Sequence, residues 1–158
     1  MIFVTTGTQL PFPRLIAAMD ALAPQLDERV VAQVGPDKTP RANIETHATL
    51  APERFTEFFS AARVVVAHAG IGSVLSAKRL GRPLIVVPRR FEQGEHRNDH
   101  QMATAAEVEA ISGIYVVWDP ADLARVLTSG PLEAPTDLPS DTAQDLIASI
   151  RTFVDETL

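Results

Sequence analysis

Cysteine is missing altogether from the 158 residues, so disulfides, thiolate nucleophiles and cysteine-held metal centres are excluded. The four histidines, His47, His68, His96 and His100, fall into no HExxH or comparable ligand spacing. No run of about 18 apolar residues occurs, which excludes a membrane-spanning helix within the sequence. The start, Met1-Ile2-Phe3-Val4, has neither a charged leader nor a long apolar core and reads as a first strand rather than a signal peptide. Internal repeats and low-complexity tracts are absent, and the cytoplasm is the expected compartment. A net charge of −6 argues against a general nucleic-acid binder.

The charge that is present is uneven. Residues 1–99 carry 12 Lys and Arg against 10 Asp and Glu, whereas 100–158 carry 2 against 10. Six of the 14 basic residues (Lys78, Arg79, Arg82, Arg89, Arg90 and Arg97) lie between positions 78 and 97. A solvated helix face followed by an exposed loop would explain the cluster. So would an anionic ligand or a phospholipid surface near that loop.

Apolar segments alternate with helical patterns along the chain. Ile2-Phe3-Val4-Thr5-Thr6 reads as a buried strand, closed by Gly7-Thr8-Gln9. Pro13 suits a first helical turn, and Leu15, Ile16, Met19, Leu22 and Ala23 then recur at helical spacing. Arg29 to Val34 is a second strand, with a short one expected near Ile44. Pro52 to Ala61 is a helix whose Phe55, Phe58 and Phe59 face inward as core. Arg63 to Ala67 is a strand, and the helical stretch Val74–Leu80 stops at Gly81-Arg82-Pro83. Leu84 to Val87 is a strand, 98–110 a helix and Ile114 to Val117 a late strand. Asp119-Pro120 marks a helix start, and that helix carries Leu123, Val126 and Leu127. A proline-rich linker over 130–139 leads to a final helix over 140–156 with an apolar stripe. Such alternation predicts a single Rossmann-like α/β domain with a mostly parallel sheet covered on both faces.

In such a sheet ligands bind at the edge where the strands' C-terminal ends lie. Three loops leave that edge: Gly7-Thr8-Gln9, His68-Ala69-Gly70-Ile71-Gly72-Ser73, and 88–99. The middle one carries Gly-x-Gly before a helix, so its backbone can approach a ligand closely and offer unpaired N–H groups to phosphate. It lacks the third glycine of the dinucleotide fingerprint. Ser73 fits two roles, phosphate donor and helix N-cap. His68 is a phosphate donor or a structural residue. Asn98 and Gln101, three apart, have the spacing of a capping box. Glu92, Glu95 and Asp99 are expected to be solvated. From the residues alone the chain is a nucleotide or phosphate binder.

The motif 68–73, the run Gly81-Arg82-Pro83-Leu84-Ile85-Val86-Val87-Pro88 and the segment Asn98-Asp99-His100-Gln101 together resemble the C-terminal, donor-binding domain of glycosyltransferase family 28. The resemblance covers roughly residues 1–128. The opening, from Phe3 to Phe12, resembles small catalytic subunits that constitute this domain alone. These include that of the two-part dolichol-linked N-acetylglucosaminyltransferase and bacterial exopolysaccharide subunits, to which 89–101 is especially similar.

The resemblance implies half of a GT-B fold that takes a UDP-sugar and transfers the sugar, with inversion, to an acceptor hydroxyl. By the same resemblance His68, Gly72 and Ser73 contact the diphosphate, and Gly70 permits the close turn. His100 and Gln101 read sugar hydroxyls, and Gly7, Thr8 and Gln9 face the phosphates and the cleft between two halves. Ser76 stands where relatives place a ribose-binding glutamate. A serine makes one such bond where a carboxylate chelates two hydroxyls. His68 is the candidate for stabilising the departing diphosphate; no general base is nominated. No cofactor and no metal are expected, and no Asp-x-Asp pair occurs. The resemblance further implies a membrane-associated partner subunit holding a lipid-linked acceptor, with this chain peripheral at the inner face of the membrane. Arg89 and Arg90 suggest a uronic-acid donor whose carboxylate pairs with arginine. The alternative is a non-catalytic nucleotide-sugar-binding regulator or scaffold. A receiver-type signalling domain would need an acidic cluster after the first strand and a mid-chain phosphoacceptor aspartate, and neither is present.

Overall fold

Why the three loops meet is explained by the order of the strands. The computed structural model describes residues 1–135. Six strands, β1 (Ile2–Thr5), β2 (Val30–Gln33), β3 (Glu45–His47), β4 (Val64–His68), β5 (Leu84–Val87) and β6 (Ile114–Val116), form one sheet in the order β3-β2-β1-β4-β5-β6. Every pairing is parallel, with Ile2 opposite both Val30 and Val64 and Val66 opposite Ile85. The chain starts in the middle, winds outward through β2 to β3, returns beside β1 as β4, and winds outward the other way. The loops after β1 and β4 therefore diverge, opening a crevice at the C-terminal edge between two adjacent strands.

Both faces of the sheet are covered, which is why its central strands are continuously apolar rather than alternating. Ile2, Val4, Val64, Val66, Ile85 and Val87 pack under α1 (Pro13–Leu22) and α5 (Leu123–Leu127). Phe3, Val65, Ala67, Leu84 and Val86 pack under α2 (Pro52–Ala61), α3 (Ile71–Leu80) and α4 (His100–Val108). Pro13 sits in the first turn of α1, and its Leu15, Ile16, Met19 and Leu22 are buried as their spacing requires. Asp119 caps as expected, its Oδ1 accepting from Ala121 N at 3.0 Å. A short 3₁₀ turn at Pro120–Asp122 then runs into α5.

Several expectations need correction. The helix after the glycine motif begins at Ile71, not Val74, because Gly70 in an extended conformation (φ −101°, ψ 142°) already serves as the N-cap. Ser73 is therefore the helix's third residue and not its cap. α4 begins at His100 behind Asp99, and Asn98 accepts from His100 N at 3.1 Å. Gln101 is turned elsewhere, so the capping box does not form. The three phenylalanines in α2 do face inward: Phe58 and Phe59 are buried, and the half-buried Phe55 packs edge-on against Phe3. The expected helix over 140–156, and linker residues 136–139, lie outside the described residues. Among those described, no helix is long and apolar enough to cross a membrane.

Candidate functional site

β4 ends on His68, and the chain turns at once: Gly70 N donates to His68 O at 2.8 Å. The imidazole lies directly over this turn. A Cβ at Gly70 would stand 2.6 Å from His68 Cε1 and 3.0 Å from Nε2, so glycine is the residue that fits. Across the crevice Gly7, with φ +75°, passes so close that a Cβ there would stand 3.3 Å from the same Nε2. The ring is held between two glycines, one from each diverging loop.

The first turn of α3 completes this corner. The N–H groups of Ile71, Gly72 and Ser73 open the helix, where no intrahelical carbonyl reaches them and the helix dipole is positive. Gly72 is exposed, and a Cβ at that position would meet no atom within 4 Å. The fold thus leaves space against this backbone. The first loop is anchored by β2: Thr5 Oγ1 donates to Gln33 Oε1 at 2.8 Å, and Thr6 N donates to Gln33 O at 3.1 Å.

Two cavities meet at His68. The larger, about 490 Å³, is lined by Gly7, Thr8, His68, Gly70, Gly72, Ser73 and Ser76, with Arg79, Phe55 and Leu50 further along. The smaller, about 280 Å³, is lined by residues 6–10 with His68, Arg89, His96 and Gln101. Gln9, Leu10 and His96 also line an outer cleft of about 660 Å³ with Gly94, Glu95 and Arg97.

The loop after β5 closes the smaller cavity by binding the first loop. Arg89 is almost completely buried. It donates to the carbonyls of Pro11 at 2.7 Å, Leu10 at 2.9 Å and Thr6 at 2.5 Å, with its guanidinium 5.0 Å from the Phe12 ring centre. Burial lowers its pKa to about 10, against the pull of Glu95, and it remains a cation at neutral pH. Arg90 donates to Trp118 O at 2.8 Å. Glu95, expected to be solvated, is buried instead: it takes Arg14 at 2.7 and 2.8 Å and accepts from Arg90 N at 3.0 Å. Its carboxylate raises the pKa of Arg14 chiefly through that hydrogen bond. The local sequence Gly94-Glu95-His96 does not disclose a partner 81 residues away.

Gln101 joins the ends of β4 and β5. Its Oε1 accepts from Arg89 N at 3.0 Å and Ala69 N at 3.3 Å, and its Nε2 stands 3.1 Å from His68 Nδ1. His68 is half-buried. Burial first, then the charge of Arg89 and the neighbouring His96, lower its pKa to about 4, so the ring is neutral at pH 7. Burial and Arg89 push His96 down as well, though its hydrogen bond with Asn98 opposes this.

Of the residues singled out in the sequence, Gly7, Thr8, His68, Gly70, Gly72, Ser73 and Ser76 therefore line one cavity, and Gln9, Arg89 and Gln101 line the other with Gly7, Thr8 and His68. His100 opens α4 beside Gln101, and Arg90 is tied to the β6 side. The sequence reading missed His96 and Arg79 as cavity residues. Arg79 is three residues from Ser76, one helical turn on, and that spacing was available as a signal. Among the described residues, no group of three His, Asp or Glu could hold a metal ion.

Residues 1–153 match the family model of the glycosyltransferase family 28 C-terminal domain. No curated protein sequence matches the chain. Among solved structures it is similar to the NMR solution structure of ALG13, with a TM-score of 0.63, 18% identity and coverage of 95% of this chain and 96% of that one. It is also similar to CalG4, the calicheamicin glycosyltransferase (TM-score 0.60, 20% identity, 97% of this chain and 38% of that one). A third is SsfS6, a glycosyltransferase of Streptomyces sp. SF2575 complexed with thymidine diphosphate (TM-score 0.55, 24% identity, 96% and 37%). At these identities the likeness shows the fold: a single α/β domain corresponding in length to under two fifths of CalG4 or SsfS6.

Proposed function

Since the chain belongs to the glycosyltransferase family 28 C-terminal domain family, we propose that it is the donor-binding subunit of a two-part glycosyltransferase, with a UDP-sugar as donor. One observation carries the reading. His68, the open N-terminus of α3 and the backbone at Gly7 converge on the crevice between β1 and β4, with space left at Gly72. Fixed N–H donors, a hydroxyl at Ser73 and a neutral imidazole form a diphosphate site that needs no reorganisation. The nucleoside lies toward Ser76, Arg79 and Phe55, and the sugar toward Gln101, His96 and His100. The thymidine diphosphate bound to SsfS6 supports a nucleoside diphosphate as the ligand class of this fold.

Transfer proceeds by attack of an acceptor hydroxyl on the anomeric carbon, opposite the diphosphate. The carbon–oxygen bond to the phosphate breaks, and its electron pair passes to the phosphate oxygen, where His68 and the α3 amides meet the growing charge. The acceptor's proton goes to a base outside the residues assigned here. No metal enters the scheme. The acceptor and its base belong to a partner subunit at the inner face of the membrane, which holds a lipid-linked saccharide of exopolysaccharide or glycolipid synthesis. The outer cleft beside Gln9, Leu10 and His96 opens toward it. A uronic-acid donor would take its cation from Arg90 or Arg97, because Arg89 already gives its guanidinium to three carbonyls.

Calorimetric titration with UDP, ADP, thymidine diphosphate and a panel of UDP-sugars tests this reading. Selective uridine nucleotide binding, lost in a His68→Ala, Ser73→Ala double variant, is expected. Equal binding of all three nucleotides, or binding unaffected by the double variant, contradicts it. Binding without transfer in the presence of the co-purified partner would instead mark a regulatory or scaffold subunit.

A further inference from the structure

Gln101 resembles a sugar-reading residue in sequence, yet its side chain is already shared among three groups of the protein at the crevice. Two backbone amides, Ala69 N and Arg89 N, donate to the same side-chain atom at 3.3 and 3.0 Å. An amide N–H can only donate, so that atom is the oxygen, and the carboxamide has one allowed orientation. The atom 3.1 Å from His68 Nδ1 is then the nitrogen, which also can only donate. His68 Nδ1 must accept, and the one proton of a neutral ring is left on Nε2. That nitrogen is the atom pressed between Gly7 and Gly70, on the boundary of both cavities.

We propose that Gln101 is a positioning residue: it reads the ends of β4 and β5 through its oxygen and thereby fixes His68 as the Nε2–H tautomer, with its donor aimed into the crevice. The charged or titratable groups around the ring are Arg89 from the end of β5 and His96 from the loop beyond it. Glu95, the nearby carboxylate, is occupied by Arg14 and the amide of Arg90. The surroundings therefore disfavour a second proton, and the tautomer persists across the neutral range. A carboxylate at position 101 would keep both backbone bonds but reverse the ring: it can only accept, so Nδ1 would have to carry a proton. The carboxamide's second hydrogen remains for a ligand hydroxyl, so positioning His68 and touching a sugar are compatible. That Nε2–H meets a diphosphate rests on the function proposed above; the tautomer itself does not.

The test uses the full chain with ¹⁵N-labelled histidine and long-range proton–nitrogen correlation spectra at pH 7. The expected result is a His68 ring with Nε2 protonated and Nδ1 bare. In Gln101→Glu the proton should move to Nδ1, or the ring should become doubly protonated with a raised pKa. An Nδ1–H ring in the unaltered protein, or an unchanged ring in a folded Gln101→Glu variant, overturns the proposal. The unaltered protein alone decides the first point should the variant not fold. An Nε2–H ring in a chain that binds no nucleotide would uphold the positioning role and overturn the functional reading, so the two fail separately.

Discussion

The two flanks of His68 use polar residues in opposite ways. On the β5 side, Arg14, Arg89, Arg90, Glu95 and Gln101 are all bonded to the protein, and the nearly fully buried Arg89 serves three carbonyls of the first loop. On the α3 side, Ser73 and Ser76 line a cavity without a hydrogen-bonding partner among the described residues, and the backbone at Gly72 faces open space. One flank is a brace and the other a receptacle. A cluster of arginines in a sequence suggests an anion site, but here Arg89 and Arg90 hold loops together, and the proposed anion site is built from backbone and hydroxyls.

The comparison breaks most sharply at Arg89. Arg89→Ala removes the donor from three carbonyls and is expected to cost about 3 kcal/mol or more in denaturant unfolding. Lysine will not restore it, having no planar fork for three acceptors. If Arg89 instead served only a ligand, the variant would unfold like the parent protein.

The glycines separate the flanks next. Gly70→Ala drives a methyl into the His68 ring, and UDP affinity should fall by at least about tenfold, equivalent to ~1.4 kcal/mol. Gly72→Ala touches no protein atom, so stability should hold or rise by up to about 1 kcal/mol while UDP binding weakens by a similar factor. Thermal melts read beside titrations distinguish the two. Gly72→Ala with parental affinity would mean that the ligand does not approach α3.

Smaller effects follow. Ser73→Ala should lower UDP affinity about fivefold, the worth of roughly one hydrogen bond at ~1 kcal/mol, with the melting point unchanged. The smallest concerns pH. The folded pKa of His68, about 4, lies below its ordinary 6.5, so the unfolded chain binds the extra proton first. Its contribution to stability is complete above pH 6.5 and is lost as pH falls toward 4. His68→Gln should flatten that part of a pH–stability curve, and a curve identical to the parent's would show that the ring is not protected from protonation.

Much of the sheet was legible in the sequence because parallel strands buried on both faces leave unbroken apolar runs, as in 64–67 and 84–87. Ser73 was misplaced by the same logic that found the helix: side-chain periodicity starts at Val74, whereas the backbone turns helical at Ile71 because a glycine can open a helix without a polar side chain. Glu95 is expected to be solvated and Arg89 to pair with a donor carboxylate because their actual partners, Arg14 and the carbonyls of Thr6, Leu10 and Pro11, are some 80 residues away. Gln101 had two sequence explanations, helix cap and sugar contact, and its link between two strand ends belongs to neither. Local pattern shows which loops reach an edge, but the sheet order decides which of them meet.

In the proposed function a nucleoside diphosphate sits on the glycine turn between β1 and β4. Backbone amide chemical-shift mapping during a UDP titration tests it most directly. Saturable shifts concentrated at Gly7, Thr8 and the amides from Gly70 to Ser73, with Arg89 and Gln101 following less strongly, are the predicted result. Saturable shifts centred on the outer cleft at 94–97, with the glycine turn unmoved, would contradict it.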